Sequence, residues 1–267
     1  MKRRDFLKAA TAVSAMAGLG TSIRPALAAD TAGTSAREIY ELRFYRTKEG
    51  SDHALLNNYL AAAMIPALNR LGLSPVGVFT EPEAKDGLGV YVLIPYPSLE
   101  VFSTAAERFS ADSGYLKEGS EYLSVAKANA AFVRMDSWLM RAFVGLPKIS
   151  LPSYSKEKKA RIFELRTYES FSEAKAQNKV DMFNAGEIDA MKEVGLAPIF
   201  YGQSLVGRDL PNLMYMTSAE NRELHKEHWN AFNTHPAWKK LTGDKHYSDN
   251  VSKITSRFLV PLEGSQI

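Results

Sequence analysis

Seven residues, Ile39-Tyr-Glu-Leu-Arg-Phe-Tyr45, return as Ile162-Phe-Glu-Leu-Arg-Thr-Tyr168, an offset of 123 positions (162 − 39). Without a gap, the same offset carries Leu71-Gly-Leu-Ser-Pro75 onto Val194-Gly-Leu-Ala-Pro198, Phe109 onto Phe232 and Tyr115 onto Trp238. A unit duplicated within one chain restricts the fold to two copies of one small design, each needing a partner for whatever apolar face it leaves open.

Each copy reads as strand, helix, strand, strand, helix, strand. Residues 38–46 alternate, with Tyr40, Leu42 and Phe44 on one face and Glu41, Arg43 and Tyr45 on the other. A helix over 52–71 follows, with Leu56, Tyr59, Leu60, Met64 and Leu68 at helical spacing, Gly72 as its terminator, and Pro66 expected to kink it. Strands are predicted at 76–81 and 89–95, then a helix to about 110 capped by Ser98, a shorter helical piece over 115–131, and a strand at 133–143. The second copy repeats this order: strand 160–168, helix 172–194 closed by Gly195, strands 199–206 and 212–217, a helix over 220–233 capped by Ser218, and strand 254–261. The order βαββαβ is that of a ferredoxin-like unit, four antiparallel strands with helices on one face. Two such α+β units in tandem can bury their open faces against each other, giving an intrachain pseudo-dimeric α+β barrel with helices outside. The expected organisation is a leader at 1–28, a lead-in at 29–36, domains at 37–144 and 160–262, and a Pro/Ser/Lys-rich linker at 145–159.

The leader explains the charge. Lys2-Arg-Arg-Asp-Phe-Leu-Lys8, a mildly apolar stretch to Ile23 and an Ala-x-Ala site ending at Ala28 resemble a twin-arginine export signal, implying a periplasmic or secreted protein. Residues 1–28 carry five cations against Asp5, a net of +4; the whole chain is +3, so the mature protein is close to −1 (3 − 4). The basic balance thus gives no footing for a nucleic-acid partner, and the leader is too polar for a stable membrane anchor. The chain has no cysteine, which excludes disulfides, thiolate metal sites and a cysteine nucleophile. No Gly-x-Ser-x-Gly elbow, phosphate loop or dinucleotide fingerprint is present.

The Tyr-Glu-Leu-Arg-x-Tyr strand, the Gly-Leu-x-Pro helix exit and Trp229-Asn-Ala-Phe-Asn-Thr-His-Pro-Ala-Trp238 resemble the NIPSNAP domain, a member of the dimeric α+β barrels. The resemblance spans both copies. It is strongest over 161–241 and weaker in the first copy, where the corresponding positions read Ala106-Glu-Arg-Phe109 and Ser113-Gly-Tyr115. It implies a fold and brings no catalytic constellation. Related barrels include oxygenases that use no metal, haem-handling enzymes and chlorite dismutases.

Chemistry could reside on the duplicated strand. Glu41, Arg43 and Tyr45, and Glu164, Arg166 and Tyr168, combine a bidentate clamp with a phenolic donor and could fix a carboxylate or enolate. The plainer alternative is that each Glu and Arg satisfy one another inside the barrel. His225 and His228 stand three apart on a helix rich in Arg, Glu and Lys. They read most simply as a solvated face, although either could ligate haem; no metal ligand set is expected. The expected function is binding of a small apolar or aromatic molecule, with Trp229 among the ligand contacts and no required cofactor. An alternative is a metal-independent monooxygenase or isomerase-like enzyme in which Arg166 and Tyr168 polarise a carbonyl and His228 is the base. The barrel is expected to be a monomeric pseudo-dimer or a homo-oligomer. Because the tryptophans at 229 and 238 and the paired histidines belong only to the second copy, a site is expected there.

Overall fold

The computed structural model describes residues 36–48, 53–84 and 89–267. The leader at 1–28 and nearly all of the lead-in lie outside the described residues. The first half builds β1 (Ile39–Arg46), a helix α1 over 54–70, β2 (Gly77–Thr80), β3 (Gly89–Tyr96), α2 (Leu99–Ser110), α3 (Ser113–Glu118), α4 (Ser120–Leu123) and β4 (Arg134–Ala142). A short helix α5 (Ser153–Lys156) leads into β5 (Ile162–Glu169). The second half continues with a helix α6 over 173–193, β6 (Ala197–Val206), β7 (Asn212–Ala219), α7 (Arg222–Thr234), α8 (Pro236–Gly243) and β8 (Lys253–Pro261). No helix among the described residues is long and apolar enough to cross a membrane.

All eight strands close into one antiparallel barrel in the order β1-β3-β2-β8-β5-β7-β6-β4. Each half contributes a ferredoxin-like sheet, β4-β1-β3-β2 and β6-β7-β5-β8, and the two join at β2–β8 and β4–β6. The duplicated strands β1 and β5 are four steps apart in the ring of eight and so stand on opposite sides. Alternation decides which face goes where. Tyr40, Leu42 and Phe44 from one half and Phe163 and Leu165 from the other fill the lumen. Tyr45 and Tyr168 point outward into two separate cores beneath the helices. The Glu-x-Arg-x-Tyr faces therefore lie under the helices, not inside the barrel as the plainer sequence reading had them. Each Glu pairs with the Arg two residues along its own strand. β3 and β7 are buried over their whole length because the lumen covers one face and the helices the other.

Other departures have local causes. The linker is not a loose connector. Ile149 and Leu151 pack into the lumen core, and the backbone there is tied by Ile149 N–H to Glu38 (2.8 Å) and by Ser150 N–H to the Ile199 carbonyl (3.0 Å). With Ile267 the linker stops one end of the lumen, while the other end opens as a well of about 320 Å³ rimmed by ion pairs such as Arg46–Asp136 and Lys253–Glu169. α7 is capped by Asn221, whose side chain accepts from Leu224 N–H, because Ser218 is held in β7 by the Ala197 carbonyl. The helical piece expected over 115–131 begins instead at Ser113 behind an Asp112 cap and divides at Gly119. The π turn within α1 does not require Pro66. A π turn at Leu60–Met64 is repeated at Phe183–Glu187, the same offset of 123 (183 − 60), where Asp189 takes the proline's place. As expected, both helices end at a left-handed glycine, Gly72 (φ 75°) and Gly195 (φ 88°).

Phe163 is fully buried in the lumen and packs edge-on against Phe79 at 4.9 Å, across the joint between the halves. Phe163→Ala should lower the unfolding free energy of the mature protein by about 3–5 kcal/mol, read from urea titration. A change below about 1 kcal/mol would mean the lumen is not a packed core.

Candidate functional site

The two halves present the same strand to different surroundings. In the first, Arg43 grips Glu41 bidentately through Nε (2.7 Å) and Nη2 (2.9 Å), and the Tyr96 and Ser137 hydroxyls donate to the same carboxylate at 3.0 Å. Arg43 Nη1 also reaches the Tyr45 hydroxyl at 3.4 Å. That carboxylate is closed on itself, and Tyr45 is capped by Phe132.

In the second half Ala219 replaces Tyr96, while His225 and Trp229 replace Phe102 and Ala106 at the common offset. Glu164 is accordingly bound by other groups. Oε1 accepts from Arg166 Nη1 (2.6 Å) and from the Ser256 hydroxyl; Oε2 accepts from His225 Nε2 (2.8 Å) and Trp229 Nε1 (2.8 Å). Ser256 and Ser137 are matched by their register opposite Arg166 and Arg43. With its carboxylate shared in this way, Arg166 keeps Nε buried and unpartnered while its guanidinium lies 4.6 Å over the Trp229 ring. Burial pushes the Glu164 carboxyl up, but the His225 hydrogen bond, the Arg166 charge and Ser256 outweigh it and hold the group at about 2.

Beside this cluster lies a cavity of about 600 Å³ between the outer face of the second sheet and its helices, lined among others by Arg166, Tyr168, Lys179, Glu187, Trp229 and Trp238. In the first half the corresponding space is filled. Tyr59 stacks on Tyr122 at 3.7 Å, and its hydroxyl meets that of Tyr115 at 2.9 Å. At the common offset Met182 replaces Tyr59 and Trp238 replaces Tyr115, so the tyrosine plug is gone. Arg166, Tyr168 and Trp229 are thus brought together at one cavity. Their counterparts Arg43 and Tyr45, together with Glu41, are packed away, and Trp229 has only Ala106 as its counterpart.

The histidines fall elsewhere than the sequence reading put them. His225 is no solvated residue: it is 2% exposed, and its Nε2 is occupied by Glu164 rather than open to a haem iron. His228 is absent from the cavity wall. It packs on Gly195 so closely that a Cβ there would come within 2.9 Å of Nε2. No group of three or more potential metal ligands occurs among the described residues.

Sequence reasoning missed Lys179 and Glu187. Both are buried, the ammonium donates to the carboxylate at 2.7 Å, and Lys179 stands one turn before the π turn of α6 that Glu187 ends. The first copy reads Leu56 and Met64 at these positions, so comparing the copies for core positions that turn polar would have found them.

Glu164 also has a consequence for stability. Its folded carboxyl releases its proton more readily than an unfolded one, so its stabilisation is complete above about pH 4.5 and is lost as pH falls toward 2. The increment is on the order of 3 kcal/mol. Glu164→Gln should flatten this acid limb in urea titrations taken across that pH range. An unchanged slope would mean Glu164 is not the group responsible.

Residues 163–266 match the family model described as NIPSNAP, and residues 1–20 match that of the twin-arginine translocation pathway signal sequence. No curated protein matches. Among solved structures, the chain is similar to a provisionally named monooxygenase from Fusobacterium nucleatum subsp. nucleatum, at 10% identity over 85% of this chain and 94% of that one, with a TM-score of 0.55. A second provisionally named monooxygenase, from Lactobacillus acidophilus NCFM, aligns at 10% identity over 84% and 94% with a TM-score of 0.55. An uncharacterised NIPSNAP-like domain protein from Burkholderia xenovorans aligns at 18% identity over 39% of this chain and 87% of its own, TM-score 0.36. At such identities the first two establish the shared barrel and nothing about reaction. The second half of the chain is thus similar to the NIPSNAP family, is closed into one α+β barrel with a first half of the same βαββαβ build, and is preceded in sequence by a match to a twin-arginine signal.

Proposed function

We propose that this is an exported binding protein for a small aromatic molecule, held in the cavity between sheet and helices of the second half and acting in the periplasm or outside the cell. The observation that carries this reading is the contrast between the halves. The same framework is plugged by Tyr59, Tyr115 and Tyr122 in one and left open in the other, with a volume of about 600 Å³. That volume suits a molecule of a few rings. Trp229, Phe232 and Trp238 supply flat apolar walls, and the Arg166 guanidinium supplies a polar contact to orient what enters. The twin-arginine signal supports export of the folded protein.

A second reading, turnover without a metal, is favoured by the placement of Arg166 and Tyr168 together at the cavity wall. Burial raises the Tyr168 phenol and the neighbouring Arg166 lowers it, with burial dominant. The phenol therefore stays protonated at neutral pH and serves as a hydrogen-bond donor rather than a base.

The mature protein is expected to show saturable quenching of tryptophan fluorescence with at least one member of a panel of single- and fused-ring aromatics. Trp238→Ala should weaken that binding tenfold or more, about 1.4 kcal/mol, while Tyr115→Ala in the first half should not. Equal losses in the two variants, or no binding across the panel, would overturn the reading. Oxygen uptake with a bound compound, abolished in Arg166→Ala, would replace it with the enzymatic one.

A further inference from the structure

The helix α6 does not require Lys179 and Glu187. The first half builds the same helix, with the same π turn, from Leu56 and Met64 at these positions. An ion pair taken out of water contributes no more than a well-packed apolar pair and commonly less, because desolvating two charges offsets their attraction. Yet Lys179 and Glu187 are 3% and 2% exposed, and both line the cavity.

Their surroundings suit proton exchange. The ammonium lies over the Phe183 and Trp238 rings at 4.6 and 5.3 Å and approaches Met182 Sδ at 3.4 Å. It is thus held by soft neighbours that do not compete for its charge. Facing Glu187 are Lys179 on its own helix, Arg166 and Tyr168 on β5, Tyr201 on β6 and Tyr215 on β7. Burial raises the Glu187 carboxyl above the ordinary range although Lys179 and Arg166 pull it down. The buried charges here already balance, Glu164 against Arg166 and Glu187 against Lys179, while Asp249, which also lines the cavity, is exposed. An anion entering alone would leave one negative charge in excess in a low-dielectric space. A weak acid brings its own remedy.

We propose that the cavity takes a small aromatic weak acid, whose acidic O–H proton passes to the Glu187 carboxylate while the oxyanion so formed is held by the Lys179 ammonium. This rests on the cavity being the binding site. The ligand's O–H bond breaks with its electron pair left on oxygen, one O–H bond forms on Glu187, the net charge of the site is unchanged and nothing is oxidised. Arg166, on the adjacent strand, reinforces the positive field without entering the transfer.

The test uses para-nitrophenol, colourless as the phenol and yellow as the phenolate, with the mature protein at a pH where the free probe is mainly protonated. Binding is followed by tryptophan quenching and ionisation by the phenolate absorbance. The bound probe should turn yellow. Glu187→Gln, which leaves the Lys179 ammonium without its counter-charge, should also bind the probe yellow but release its proton to the solvent, acidifying a weakly buffered solution as the unmodified protein does not. The double variant Lys179→Leu with Glu187→Met, which installs the first half's own residues, should fold and lose the yellow signal at least tenfold. Quenching without colour in the unmodified protein, or colour that persists in the double variant, overturns the inference and leaves the cavity reading standing. If neither this probe nor any neutral aromatic quenches, the cavity reading fails and the inference with it.

Discussion

Everything in this molecule depends on the burial of two apolar sheet faces against each other. A four-stranded ferredoxin-like sheet covers one side with its helices and leaves the other wet. Tyr40, Leu42 and Phe44 would be exposed in one half, Phe163 and Leu165 in the other. Closing the two sheets into a ring removes both faces from water and also pairs all four sheet edges. The Glu-x-Arg-x-Tyr faces are thereby turned outward beneath the helices, and the possibility of a site follows from that orientation. The lumen is stopped at one end by the linker and Ile267 and holds a well of about 320 Å³ at the other, whereas the gap between sheet and helix can be widened by changing one or two side chains.

The comparison of the halves shows how small those changes are. Tyr59 to Met182 and Tyr115 to Trp238 remove a hydrogen-bonded tyrosine plug; Phe102 to His225 and Ala106 to Trp229 redirect the hydrogen bonds of one carboxylate. The strand, the helix, its π turn and its terminal glycine are retained throughout. The first half works as an internal reference in which the same backbone carries a solid core.

The fold was largely legible in the sequence because it follows from periodicities that backbone geometry enforces. Alternation located β1 and β5, helical spacing located α1 and α6, and the repeat supplied the order of elements. What could not be read was orientation. Period two separates Glu41, Arg43 and Tyr45 from Tyr40, Leu42 and Phe44 without saying which set faces the lumen, and charge alone suggested the wrong reason for the pairing. His225 was misjudged because its helix neighbours Glu223, Lys226 and Glu227 are exposed, and one imidazole reaching a buried carboxylate on another element leaves no trace in local composition. Lys179 and Glu187 were hidden among the polar residues of α6, though the apolar Leu56 and Met64 marked the same positions as core. Pro66 drew attention as a kink, yet the π turn recurs without a proline at Phe183–Glu187, where Gly186 stands at φ 139°.

The linker that stops one end of the lumen has a further consequence. In a barrel assembled from two identical chains, every substitution occurs twice, so a buried charge pair or a removed aromatic plug weakens both halves at once. Here Ile149 and Leu151 pack against a core drawn from two unequal halves. A buried ion pair such as Lys179 with Glu187 occurs once, beside a partner half that keeps an apolar core at the same positions. Covalent joining thus makes the barrel a vehicle for asymmetry, in which one side can be spent on chemistry because the other is not.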